Sequence, residues 1–240
     1  MIPKIIHQTW KNEIIPDKWK DAVESVKENN KKYKYILWTD IMMDNFVKQE
    51  YPLFYKHYIN YPYNIQRCDV FRYLVLYKYG GIYLDMDIIC KKSFDDFLKY
   101  NIVFARSYNI NSSFTNSFFM SIPKHPFIKY CIENLLDNYY NFYYFGKHLH
   151  IMYSTGPLFL TKMINNYNIS KINNVYILSN EEFSGDCNVC NENYCKGGKY
   201  FIHINGNSWH SFDSTLYNFI FCNYHKLLIL LLFVIILLKI

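Results

Sequence analysis

The chain has 240 residues and a formal net charge of +6, enough for one α/β domain with a substantial core and too short for two ordinary domains. No Lys/Arg cluster dominates any segment, which argues against nucleic acid as a partner. Seven cysteines are too few and too scattered for a disulfide framework.

In chain order, residues 2–10 read as a strand and not as the charged and apolar regions of a signal peptide. A helix is predicted over about 17–29, where Trp19, Val23 and Val26 recur at helical spacing. Residues 33–38 read as a second strand, and Thr39-Asp40 supplies an N-cap for a helix through Lys48. The helix over about 64–79 carries Val70, Leu74 and Tyr77 on one side and stops at Gly80-Gly81, a C-terminal glycine signal. A strand then leads into Asp85-Met86-Asp87. Further on, 102–105 and 118–122 read as strands, 126–138 as a helix, 158–165 as a helix opened by Gly156-Pro157, and 175–178 and 200–204 as strands. This β-α-β-α order predicts a layered α/β fold with a largely parallel sheet.

Strand alternation predicts that Asp85 and Asp87 project to the same side, at the carboxyl end of a strand where α/β sheets bind ligands. Two such carboxylates suit Mg²⁺ or Mn²⁺, which take one or two carboxylates together with substrate phosphate oxygens. An Asp-x-Asp alone is equally a solvated strand end. Asp69 and Arg72, spaced i, i+3 on the preceding helix, share a face. They read either as a surface ion pair or as a carboxylate and a guanidinium presented to sugar hydroxyls and phosphate oxygens. On both readings their loss leaves the melting temperature nearly unchanged. Downstream, His203 beside two carboxylates would complete a three-ligand, Mn²⁺-tolerant set, and Ser208 and Trp209 can donate to phosphate oxygens. Cys187, Cys190 and Cys195 lack a fourth ligand at zinc-finger spacing. A loop with free thiols or one local disulfide is preferred there to a structural zinc.

Residues 227–238 are twelve consecutive apolar residues between Lys226 and Lys239. A full span needs about 20, reached only by including 216–222 across the interruption at 223–226. With no polar face, the segment is expected to be a C-terminal membrane anchor. The expected division is a catalytic domain over 1–215 and an anchor over 216–240. The catalytic domain is expected in the cytosol or another reducing compartment, with the acceptors Asn111 and Asn168 unmodified.

Four ordered motifs, Ile2-Pro3-Lys4-Ile5-Ile6-His7-Gln8-Thr9-Trp10, Leu37-Trp38-Thr39-Asp40, Asp69-Val70-Phe71-Arg72-Tyr73 and Gly80-Gly81-Ile82-Tyr83-Leu84-Asp85-Met86-Asp87, together resemble the Asp-x-Asp sugar-binding glycosyltransferases. These are glycosyltransferase family 32, which includes initiating α-1,6-mannosyltransferases and inositol-phosphoceramide mannosyltransferases and is distantly related to clostridial glucosylating toxins. Ser154-Thr155-Gly156-Pro157 and residues 203–209 resemble the family's closing motifs. The resemblance covers about residues 2–210. It implies a GT-A fold (Rossmann-like, mixed and mainly parallel), a divalent cation (Mn²⁺ or Mg²⁺), a GDP- or UDP-hexose donor, a glycan or glycolipid acceptor, and retention of anomeric configuration.

By the same resemblance, Trp10 lies against the nucleobase, Asp69 and Arg72 against donor ribose and sugar, and Tyr83 near the donor. Asp85 lies towards ribose and metal, Asp87 ligates the metal, His203 falls near it, and Ser208 and Trp209 meet the diphosphate. Arg72 with Asp85 and Asp87 would form the catalytic centre. The sugar could be mannose, glucose or galactose. Gln66-Arg67-Cys68 replaces the small residues often seen before Asp69, and the cysteine insertion has no family role. Two other readings are an inactive carbohydrate- or partner-binding protein on the same fold and an Asp-x-Asp phosphatase. The phosphatase would carry its motif on the first strand.

Overall fold

The computed structural model describes the whole chain except residues 108–112, 141, 169, 170, 172, 188, 189, 191–194, 205, 207, 239 and 240, and except the side chains of 144 and 230–238. The first half runs β1 (Ile5–Thr9), α1 (Asp17–Asn29), β2 (Lys34–Trp38), α2 (Asp40–Glu50), α3 (Pro52–Ile59), α4 (Asn64–Tyr79), β3 (Gly81–Leu84) and β4 (Ile88–Cys90). The second half runs β5 (Ile102–Arg106), β6 (Phe114–Ser121), α5 (Pro126–Asn134), α6 (Lys147–Ser154), α7 (Pro157–Tyr167), β7 (Val175–Leu178), β8 (Phe201–His203) and α8 (Phe212–Leu238).

Six strands form one sheet in the order β2-β1-β3-β6-β5-β7, and β4 and β8 form a small second sheet. Within the six, β6 pairs antiparallel with both of its neighbours while the remaining pairs are parallel. The expected mixed, mainly parallel sheet is therefore present. Its two faces follow the period-two alternation of a strand. Tyr83, Ile102, Phe104 and Phe119 join the core beneath α2, α4, α5 and α7. Ile82, Leu84, Val103, Ala105, Phe118 and Met120 join the opposite core with Val26 of α1 and Phe201 of β8. Helix α4 is buried on nearly every side, so it reads as a core helix and not as an amphipathic one.

Close approach of β3 to β1 requires glycine. Gly81 has φ +97°, and a Cβ there would lie 2.4 Å from the Ile5 carbonyl oxygen. His7, on β1, accepts from Trp38 Nε1 at Nδ1 and donates from Nε2 to the Gly80 carbonyl. Burial lowers its pKa to about 4, so the neutral ring joins β1, β2 and the end of α4.

Several sequence expectations are revised. Asp85 and Asp87 lie in the turn between β3 and β4 and not on a strand. The chain leaves one sheet for the other there, so strand alternation does not govern their direction. Of the two alternatives for the clustered cysteines the local disulfide is present, joining Cys187 to Cys195, while Cys190 is not a free thiol but pairs outside the cluster with Cys222 of α8. Disulfides persist in oxidising compartments, which runs against the expected reducing compartment. Helix α8 continues unbroken through residues 215 and 216. Among the described residues no helix is long and apolar enough to cross a membrane, and the side chains of 230–238, most of the apolar run, lie outside them. Asn111 lies outside the described residues, as do Ile169 and Ser170 after Asn168.

The His125 ring caps α5, its Nδ1 accepting from the Phe127 N–H, and burial lowers its pKa to about 4. The unfolded chain takes up this proton near pH 6.5 and the folded chain only near 4, so the residue's contribution to stability rises with pH across that window. His125→Asn keeps a capping acceptor without the titration. Between pH 7 and 4.5, wild type is expected to lose about 2 to 3 kcal/mol relative to the variant in parallel denaturant titrations.

Candidate active site

A polar stripe runs along the buried helix α4 at three-residue spacing: Gln66, Asp69 and Arg72, each 3% exposed or less. Each finds partners on neighbouring elements, as buried polar groups must. Gln66 Nε2 donates to Ser154 Oγ at 2.7 Å. Asp69 Oδ1 accepts from Asn116 Nδ2 of β6 and Oδ2 from Thr155 Oγ1, both at 2.9 Å. Arg72 Nη2 lies 2.9 Å from Asp69 Oδ1 and 3.5 Å from Asp85 Oδ1, while Nη1 donates to the Asn116 carbonyl. The guanidinium rests 4.6 Å from the Tyr83 ring centroid. Burial raises the Asp69 pKa, against the pull of Arg72, Thr155 and Asn116.

Asp69 and Arg72 are therefore an interior pair and not the surface pair that spacing allowed. Ser154-Thr155-Gly156-Pro157 answers the α4 stripe: Ser154 and Thr155 satisfy Gln66 and Asp69, and Pro157 opens α7 at a position that needs no N–H. The Gln66 that replaces a small residue is thereby accounted for as a packing partner of α6.

Next along the chain, Asp85 Oδ1 accepts from the Tyr83 hydroxyl at 2.9 Å, which in turn meets Thr9 Oγ1 at 3.0 Å. Gln8 Nε2 donates to the Asp85 carbonyl. Met86, between the two carboxylates, is buried against Trp19 and Val23 of α1 and anchors the turn. Asp87 depends on β8 instead. The β4–β8 register sets His203 opposite Ile88, with His203 Nε2 3.4 Å from Asp87 Oδ1. The Gly206 N–H donates to Asp87 Oδ2 at 2.7 Å, and a Cβ on Gly206 would meet that oxygen at 2.9 Å and Trp19 at 2.7 Å. Sequence reasoning passed over Gly206, although a glycine in a polar loop beside a candidate site signals close backbone approach.

The two carboxylates are electrostatically unequal. Burial, with Asp87 adding to it and Arg72 opposing, pushes Asp85 up to about 6. Burial would raise Asp87 too, but His203 and the Gly206 N–H bring it below the usual carboxylate range. About a third of the Asp85 side chain still opens onto the cavities.

A divalent cation fits these groups. Asp87 Oδ1 is buried and faces the His203 ring at 3.4 Å without a closer hydrogen bond, and two neighbouring carboxylates call for positive charge. Among the described residues, no three His, Cys, Asp or Glu side chains gather closely enough to hold an ion by themselves. His203, expected near the metal, lies against Asp87 with Nε2 3.4 Å from Oδ1.

Two cavities meet at this turn. The smaller, about 550 Å³, is lined by Trp10, Tyr63, Arg72, Tyr83, Asp85, Asp87, Lys147, Ser208 and Trp209. All the expected donor-side residues except the buried Asp69 thus line one cleft. Trp10 packs edge-on against Trp19 at 4.6 Å between centroids, and its Nε1 is buried without a partner. The larger, about 640 Å³, shares Asp85, Asp87 and Trp209 and extends along Leu149, Met152, Leu158 and Phe183 to Tyr217, Ile220, Phe221 and Tyr224 of α8. Lys147 and the wall from α8 were not foreseen. Residues 147–154 were not read as a helix, and the apolar residues of 217–224 were read as part of a membrane segment.

The family described as "Glycosyltransferase sugar-binding region containing DXD motif" matches residues 16–104. Inositol phosphoceramide mannosyltransferase 3 of Schizosaccharomyces pombe is 45% identical over 160 residues, 67% of this chain and 44% of its own length. Uncharacterized glycosyltransferase L373 of Acanthamoeba polyphaga mimivirus is 30% identical over 217 residues, 87% of this chain and 84% of its own. The chain spans 44 to 65% of the length of three fission-yeast relatives that it matches. Among solved structures, the PaToxG glycosyltransferase superposes with a TM-score of 0.54 over 70% of this chain and 71% of that one, at 21% identity. That likeness is one of fold and agrees with the expected GT-A architecture.

Breaking a buried pair from one side leaves an uncompensated charge. Arg72→Ala is therefore expected to lower unfolding free energy by about 3 to 5 kcal/mol, in place of the unchanged melting temperature that the sequence suggested. Thr155→Val, which removes one donor from Asp69, should cost about 1 to 3 kcal/mol. Denaturant titration of both variants checks this, and a loss under 1 kcal/mol in Arg72→Ala would return the pair to the surface.

Proposed function

The chain belongs to the family of glycosyltransferases whose sugar-binding region contains a DXD motif, and we propose that it forms the catalytic region of a metal-dependent, retaining enzyme that moves a hexose from a GDP- or UDP-sugar to a glycolipid. The observation that carries this reading is the meeting of two cavities at Asp85 and Asp87. One is a mixed cleft with a tryptophan at its wall and Arg72, Lys147, Asp85 and Asp87 on its lining, and the other is a larger, more apolar cavity that also carries Arg106, Asn116, His148 and His203. A nucleotide sugar suits the first and an amphiphile the second, so donor and acceptor would meet at the carboxylates. Mannose leads among the hexoses because the relatives are named as mannosyltransferases of inositol phosphoceramide.

In this reading Trp10 offers a stacking face to the nucleobase, and Ser208 and Trp209 donate to diphosphate oxygens. A cation held by Asp85 and Asp87 would supply Lewis-acid stabilisation of the departing diphosphate. Asp87 is kept ionised by His203 and Gly206, and Arg72 holds a fixed positive charge beside Asp85. Asp69 acts by orienting Arg72. The hydrogen bonds that fix these groups are made before substrate arrives, so little reorganisation accompanies charge development.

Asp87→Asn is expected to lower transfer and donor hydrolysis by about a hundredfold or more, with the fold retained. EDTA should abolish activity, and Mn²⁺ or Mg²⁺ should restore it. A panel of GDP- and UDP-hexoses with and without EDTA checks this. Wild-type rates in Asp87→Asn or in EDTA would remove the metal-centred mechanism.

We further propose that the end of α8 associates with membrane and that the domain faces an oxidising compartment. The apolar run 227–238 and the disulfides support this. Four cysteines are paired, and Cys68, Cys90 and Cys131 are free. Alkylation of unfolded, unreduced protein from the native host is expected to label only those three. Labelling of all seven cysteines would restore the reducing compartment.

A further inference from the structure

The cations of the smaller cavity are unequally committed. Lys11, Arg72 and Lys147 line it. Arg72 is 2% exposed, and its two terminal nitrogens are engaged by Asn116, Asp69 and Asp85. Lys11 follows Trp10, with Nζ 5.7 Å from that ring's centroid, on the nucleobase side of the cleft in the proposed reading. Lys147, the first residue of α6, has Nζ on the Trp209 carbonyl at 2.5 Å and 5.7 Å from the Tyr63 ring centroid. An ammonium has three donors, so two remain beyond the Trp209 contact.

The same corner of α6 grips the Trp209 segment in three further ways. The His148 ring stacks on the Trp209 ring at 5.3 Å and 19°. Its backbone N–H donates to Asp213 Oδ2 at 2.7 Å, and its Nδ1 lies 3.1 Å from Ser214 Oγ. The segment carrying Ser208 and Trp209 is therefore fastened to the element that presents the ammonium.

We infer that Lys147 is a diphosphate ligand: its Nζ bridges the Trp209 carbonyl and a phosphate oxygen of the nucleotide. This deepens the glycosyltransferase reading and rests on it. The ammonium supplies charge that Arg72, turned inward to Asp69 and Asp85, does not offer. Its second contact holds Trp209 over the same phosphates, so binding the anion and ordering the loop are one event.

The test is calorimetric binding of GDP, UDP and the matching monophosphates, with Mn²⁺, to wild type, Lys147→Ala and Lys147→Arg. Lys147→Ala should weaken diphosphate binding by about tenfold or more and monophosphate binding much less, while Lys147→Arg restores most of the loss. Wild-type diphosphate affinity in Lys147→Ala would overturn the assignment. An equal loss of both nucleotide classes would also overturn it, because Lys147 would then only hold the loop. If the wild-type chain bound neither nucleotide, the glycosyltransferase reading would fall and this assignment with it.

Discussion

Asp69 and Arg72 put opposite charges into the middle of a buried helix, and much of the site is arranged to make that tolerable. Moving two ions out of water costs several kcal/mol each, offset only when geometry is good and the remaining polar atoms are satisfied. Here the compensation comes from four elements: Asn116 on β6, Thr155 at the end of α6, the Tyr83 ring on β3, and Asp85 just beyond it. Those contacts also fix how α4, β3, β6 and α6 sit relative to one another. Shifting any one of them would strip a partner from a buried charge, so the pair sets the geometry of the whole region.

From this pair the constraint passes to the turn at 85–87. Arg72 and Tyr83 both hold Asp85 Oδ1, so one carboxylate is tied to the large sheet. The other is tied to the small sheet through His203 and Gly206. Their environments push them apart, one towards protonation and one towards ionisation, which is how a shared site avoids two equal and repelling anions. A cation between them would relieve the remaining repulsion.

Much of the fold was legible because it follows from period and punctuation. The strand–helix alternation of the first half and the glycine stop at the end of α4 are local signals, whereas the turn that carries Asp85 and Asp87 was read as strand. Where reading failed, the cause was long-range. Spacing placed Asp69 and Arg72 on one helix face but could not show that this face is interior, since burial depends on Asn116 and Thr155 from far along the chain. The partner of Cys190 was invisible because Cys222 sits in a segment whose apolar character pointed to a lipid environment. Lys147 carries no motif. Only the packing of α6 against the Trp209 segment makes it a candidate.

The division of the two carboxylates between two sheets has a consequence for biogenesis. A nascent chain emerges N-terminus first, and the groups in direct contact with Asp85 (Gln8, Arg72, Tyr83 and the Ser117 carbonyl) have been made once β6 is complete. The partners of Asp87 are on β8 and its following loop, synthesised much later. The large sheet can thus settle around one half of the claw while β4 still waits for its partner strand. Closure of the Cys190–Cys222 bond then ties off a stretch of separation 32 that contains both β8 and Trp209, removing conformational freedom from the segment that arrives last. The groups that complete the claw are thus the last to be synthesised, and they lie in a segment whose two ends the Cys190–Cys222 bond joins.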